Sequence, residues 1–190
     1  MVVRDNLQQP FNSTASGSAG EAEQCLKTWG IEYTRQPDGA LFVPGDLDIS
    51  HKGLTRLPDL SSVRVGGSFS VANNKLTSLE GAPTEVGTSF ICSDNQLISL
   101  KGAPTVLGGY FACQNNPVKT LEYAPQVSTG IYSNFGNYFD WDRIPESLRG
   151  SPDPDVLSKP ERQAKAEKAI YDAVVLQAPM GIGRPLKLKK

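Results

Sequence analysis

Apolar and polar positions recur along the middle of this chain with a fixed step. Phe69, Phe90, Phe111 and Tyr132 are each 21 positions apart, as are Asn74, Asn95, Asn116 and Asn137, and also Leu76, Leu97, Val118 and Phe139. The stretches SFSVANNKLTSLEGAP, SFICSDNQLISLKGAP and YFACQNNPVKTLEYAP are copies of one unit. An earlier copy, DLDISHKGLTRLP, lies 22 positions upstream, with Leu47 in the Phe slot and Lys52 in the Asn slot. A later one, IYSNFGNYFDW, keeps the aromatic and asparagine slots but lacks the leucine that follows. A period of this length predicts stacked units, about five rungs from Leu47 to Ile144, none of which buries its apolar edge alone.

Within a unit the spacing predicts the local path. In Phe90-Ile91-Cys92, residues two apart share one face of a strand, so Phe90 and Cys92 point inward and Ile91 outward. Asn95 follows where the chain turns, and its amide is suited to satisfy backbone groups at the bend. Stacked copies would form an asparagine ladder. Leu97 and Leu100 then return to the core. Glu80-Gly81-Ala82-Pro83 and Lys101-Gly102-Ala103-Pro104 are too short and too rich in Gly and Pro for an α-helix. The back of each turn is therefore expected to be extended or turn-like, with the convex side mostly loop. Val65-Gly66-Gly67 and Val86-Gly87 lead into the next strand, where glycine permits a tight entry.

Written out, each unit is apolar-x-apolar-x-x-Asn-x-apolar-x-x-Leu, which resembles the leucine-rich-repeat family from about residue 43 to 144. The Leu-Glu-Gly-Ala-Pro-x-x-Val-Gly variant, as at Leu79 to Gly87, is similar to repeats in proteins of tailed bacteriophages and prophages. The resemblance implies a leucine-rich-repeat solenoid: a short parallel β-sheet of about five rungs with a loop-like convex side.

The flanks divide the chain further. Residues 1–19 have the Ser-, Gly- and Asn-rich composition of a flexible arm. Residues 20–43 read as an N-terminal cap. EAEQCLKTW places Ala22, Cys25, Leu26 and Trp29 at helical spacing before Gly30, and IEYT and ALFV flank a turn at Asp38-Gly39. The solenoid occupies 44–149. Residues 150–178 form a proline-rich linker and a C-terminal helix, opened by a capping box at Ser158 to Glu161 and striped with Ala166, Ala169, Ile170, Ala173 and Val174. Residues 179–190 are a basic tail carrying Arg184, Lys187, Lys189 and Lys190.

Composition narrows the function. A formal charge of −1 across 190 residues provides no bulk attraction to nucleic acid or to an anionic membrane, and only the tail is suited to touch nucleic acid. No stretch is long and apolar enough to span a bilayer. The N-terminal segment lacks the apolar core of a secretory signal, which predicts a protein made and kept in a cytoplasm, and the phage resemblance implies a virion or the host cytoplasm as its location. Three cysteines are an odd number without metal spacing. Cys92 and Cys113 fill equivalent inward slots on adjacent rungs. A redox pair or half a metal site is one reading, but Ile49 and Val71 hold the same slot earlier, so core packing is expected, with Cys25 the more reactive thiol. His51, the single histidine, reads as a turn residue. Asp46 and Asp48 share a face but lack an oriented partner for acid–base work. No catalytic residue, metal or cofactor is expected.

The outward strand positions remain as the binding surface. Strand alternation combined with the 21-residue step places Ile91, Tyr110, Ile131 and Phe135 in one apolar patch at the C-terminal end of the sheet. Such patches mark interfaces, with aromatics as anchors. Its occupant is either a partner or the protein's own arm or C-terminal helix. These features predict a non-enzymatic protein-binding module. A bacteriophage virion-associated structural protein contacting other virion proteins is the first reading, and a soluble effector that blocks a host protein is the alternative.

Overall fold

A computed structural model of the chain describes residues 18–125 and 129–150. It begins with helix α1 (Ser18–Trp29) and a hairpin of β1 (Thr34–Arg35) and β2 (Leu41–Val43). The chain then winds through β3 (Leu47–Asp48), β4 (Val63–Val65), β5 (Phe69–Ser70), β6 (Glu85–Val86), β7 (Phe90–Ile91), β8 (Val106–Leu107) and β9 (Phe111–Ala112). It closes with β10 (Ile131–Ser133), β11 (Gly136–Tyr138), a 3-10 turn at Trp141–Arg143 and the short helix α2 (Glu146–Arg149).

Each winding adds one strand to each of two sheets, making a parallel β-solenoid of about four turns. One sheet has the order β11-β10-β9-β7-β5-β3, the other β1-β2-β4-β6-β8. The backs are extended, as expected, but the second sheet corrects the expectation of a mostly loop-like convex side. Val63, Val65, Val86 and Val106 are all buried there. The segments after the two Gly-Ala-Pro turns, Thr84-Glu85-Val86-Gly87 and Thr105-Val106-Leu107-Gly108, are short, β-branched and at least half-apolar, which suits a two-residue strand once a neighbouring rung supplies hydrogen-bond partners.

Register shows why the units stack. Leu47 pairs with Phe69, Phe69 with Phe90, and Phe90 with Phe111. The three phenylalanine rings form a buried column, with centroids 5.3 Å and 5.7 Å apart. Leu76, Leu79, Leu97, Leu100 and Leu121 line the rest of the core. Glycine permits the rungs to approach at the corner between the sheets. A Cβ on Gly87 would lie 2.2 Å from the Gly66 carbonyl oxygen of the rung below.

Both ends are capped. Ala22, Cys25 and Leu26 of α1 are buried against the first turn, and Gly30 (φ 68°) ends the helix by donating to the Lys27 carbonyl. Glu23 accepts from the Tyr33 hydroxyl at 2.8 Å and pairs with Arg35, fastening α1 to the hairpin. At the other end Ile144 is buried, and the Leu121 amide donates to the Leu148 carbonyl at 2.6 Å. The expected arm up to residue 17, the C-terminal helix over Ser158 to Gln177 and the basic tail lie outside the described residues.

Candidate functional site

The asparagine ladder sets the rigidity of the surface and is formed at three rungs. Asn74, Asn95 and Asn116 are buried, each donating to carbonyls of its own rung and the previous one. Each also accepts a backbone amide from the previous rung: Lys52 and Leu54 for Asn74, Leu76 for Asn95 and Leu97 for Asn116. The residue before each ladder position is left-handed: His51 (φ 56°), Asn73 (55°), Asp94 (58°) and Asn115 (57°). Asn, Asp and His tolerate that conformation better than other side chains. His51 is thus an exposed turn residue, as its position in the unit predicts.

The fifth rung departs from the 21-residue step, and the departure rearranges the candidate patch. Ile131, not Tyr132, pairs with Phe111, so this turn is 20 residues long. A one-residue shift reverses the face of every side chain in the strand. Ile131 and Ser133 are buried, and Ile131 is therefore removed from the predicted binding surface. The physical reason lies in the slot itself. The Phe column is dry, and a tyrosine there would bury a hydroxyl without a partner. Ser133 tolerates burial because its hydroxyl donates to the Gly136 carbonyl and accepts from the Phe135 amide.

Beyond Ser133 the chain does not complete a further rung. It reverses through Asn134-Phe135 into β11, antiparallel to β10, with Ser133 opposite Gly136. Phe135 is half-buried against the core, so its placement as an exposed anchor is also corrected. Asn137 is exposed on β11 and takes no part in the ladder, and Phe139 is 64% exposed rather than in the leucine slot. Asn134 occupies part of the ladder's place, accepting from the Asn115 amide and donating to the Asn116 carbonyl.

The resulting surface is a row of aromatic rings at the C-terminal rim. The outward register runs Asp48, Ser70, Ile91, Ala112, Tyr132, with Tyr110 beside it. Tyr110, 37% exposed, packs edge-on against Tyr132 with centroids 5.5 Å apart, and Tyr132 against Phe139 at 6.0 Å. Of the predicted patch, Ile91 and Tyr110 stay on the surface. Tyr132 and Phe139 replace Ile131 and Phe135. The missed signal was Gly130-Ile131, since an apolar residue directly after glycine competes with Tyr132 for the dry slot.

The acidic first rung serves the fold. Asp46 accepts from the Ser68 amide at 2.6 Å and Asp48 from the Ser50 amide at 2.9 Å. Hydrogen bonds from Ser50 hold the Asp48 carboxyl below its usual value. Cys92 and Cys113 are free and buried, with Cys92 donating to the Ala112 carbonyl at 3.4 Å. Burial raises the Cys113 thiol to about 12 and Cys92 well above its ordinary value. Cys25, expected to be more reactive, is equally buried and raised to about 11, because the apolar face of α1 turns it into the core. Among the described residues no group of three or more His, Cys, Asp or Glu side chains could hold a metal, and no helix is long and apolar enough to cross a membrane. No protein-family model, curated protein or solved structure matches the chain.

Proposed function

We propose that this chain is a non-enzymatic protein-binding module that presents the aromatic rim of its solenoid to a partner. The observation that carries the reading is the contiguous row of exposed Tyr110, half-buried Tyr132 and exposed Phe139 on a hydrogen-bonded scaffold. Rings already fixed by edge-to-face packing lose little conformational freedom on binding, which favours them as anchors. The repeats are of leucine-rich type, and the Leu-Glu-Gly-Ala-Pro form supports a bacteriophage origin. A virion-associated structural role follows best from a rigid block set between a polar arm and the basic tail of Arg184, Lys187, Lys189 and Lys190. Low-complexity extensions add contact area cheaply on a symmetric assembly.

Mass spectrometry of purified particles tests the role, since a structural component appears at fixed copy number. An effector that blocks a host protein would be absent from particles and would instead copurify with one host protein. The rim is tested by Tyr110→Ala with Tyr132→Ala, expected to weaken partner capture by about 2 kcal/mol, roughly thirtyfold, while circular dichroism stays unchanged. Asp46→Ala with Asp48→Ala should lower stability rather than capture. Normal capture by the tyrosine variant would refute the rim as the interface.

A further inference from the structure

We propose that the shallow depression beyond Phe139 is a saccharide-binding site. It has a volume of about 400 Å³ and is lined by Asn137, Tyr138, Phe139, Asp140 and Arg143. One of its walls is the exposed Phe139 ring, which the fold holds in place. Phe139 packs edge-on against Tyr132 and lies over Gly130, which has φ +142° and where any Cβ would come within 2.9 Å of the Phe139 ring. A positive-φ glycine that seats a ring left 64% exposed contributes little to the core, whereas it preorganises a platform.

The groups around the ring choose the ligand. Asn137 and Arg143 are exposed, and neither side chain makes a hydrogen bond or ion pair with another described residue. Asp140 uses one carboxylate oxygen to accept from the Asp142 amide and leaves the other open. A carboxylate that accepts, a guanidinium that donates and an amide that does both match the hydroxyls of a sugar, each of which donates and accepts. The ring matches the sugar's apolar C–H face. An apolar protein side chain would instead strand all three polar groups away from water. A nucleic-acid phosphate would sit beside the carboxylate of Asp140, an unfavourable juxtaposition. This site goes beyond the protein-binding reading and shares only Phe139 with it.

The test is a titration of the isotope-labelled full chain with neutral oligosaccharides (chito-, cello-, malto- and manno-oligomers), followed by backbone and side-chain NMR. At least one should perturb resonances clustered at residues 137–143 with millimolar affinity. Phe139→Ala and Arg143→Ala should each weaken it about tenfold or more, Phe139→Trp should retain it, and Tyr110→Ala should leave it unchanged. Three results would overturn the proposal: no saccharide shifting these resonances at tens of millimolar, a response that survives Phe139→Ala, or an arginine peptide or oligothymidylate binding there in place of the sugars. Loss of protein capture in Tyr110→Ala with saccharide binding intact would separate the two surfaces.

Discussion

Removing one rung of the asparagine ladder tests the stacking principle most directly, and Asn95→Ala is the cleanest choice. The side chain accepts from the Leu76 amide at 3.0 Å and donates toward the Val71, Cys92 and Ser93 carbonyls at 3.0–3.2 Å. Truncation does not orphan all four groups. Val71 keeps a bond from Asn74, Cys92 keeps one from Asn116, and Ser93 keeps one from the Asn73 amide. Only the Leu76 N–H is orphaned, inside a residue that is fully buried. An unsatisfied buried donor costs about 1–3 kcal/mol, and each satisfied bond given up adds roughly 0.5–1.5 kcal/mol. With three such bonds given up besides the orphaned donor, the expected loss is about 2.5 kcal/mol or more, read as a lower urea midpoint by far-UV circular dichroism. Asn137→Ala supplies the contrast. It removes the residue at the same sequence period, but an exposed one without a ladder role, and should change stability by less than about 0.5 kcal/mol. Equal midpoints for the two variants would refute the reasoning, because they would mean that the buried amide finds water or that the ladder carries no energy.

The remaining predictions concern the corner glycines and the thiols. Gly87→Ala drives a Cβ to within 2.2 Å of backbone and should cost about 3 kcal/mol or more, whereas Gly45→Ala, with open space around it, should be close to neutral in the same urea assay. All three cysteines should resist thiol reagents until the chain unfolds, and rapid native labelling of Cys113 would contradict its burial. Their raised pKa values also predict an alkaline trend. The unfolded thiols ionise near 9.0 while Cys25 and Cys113 hold their protons to about 11 and 12. The contribution is thus complete below pH 9 and is lost as pH rises through that window. Cys25→Ala with Cys113→Ala should flatten the slope there, and an unchanged slope would assign it to other groups.

Much of the architecture follows from residues that repeat. The inward placement of Phe69, Phe90 and Phe111, the ladder at Asn74, Asn95 and Asn116, the cap helix ending at Gly30 and the hairpin turn at Asp38-Gly39 are all local or strictly periodic. Spacing alone determines which side of the chain they occupy. The candidate patch was less legible because it lies where the period fails. Ile91 and Tyr110 belong to intact units and lie on the surface as the spacing predicts, whereas Ile131 and Phe135 would be outward only if the 21-residue step held for one more rung.

Only the tertiary structure decided that last rung. Which of Ile131 and Tyr132 turns inward depends on the dry slot offered by Phe111, and no local preference separates two β-forming neighbours. The same holds for the second sheet. Glu85-Val86 and Val106-Leu107 are two-residue segments that become strands because the rung beside them supplies the hydrogen-bond partners. Periodic side chains therefore determined that the chain stacks. Contacts between rungs determined where stacking stops, and the exposed aromatic rim results from that stop.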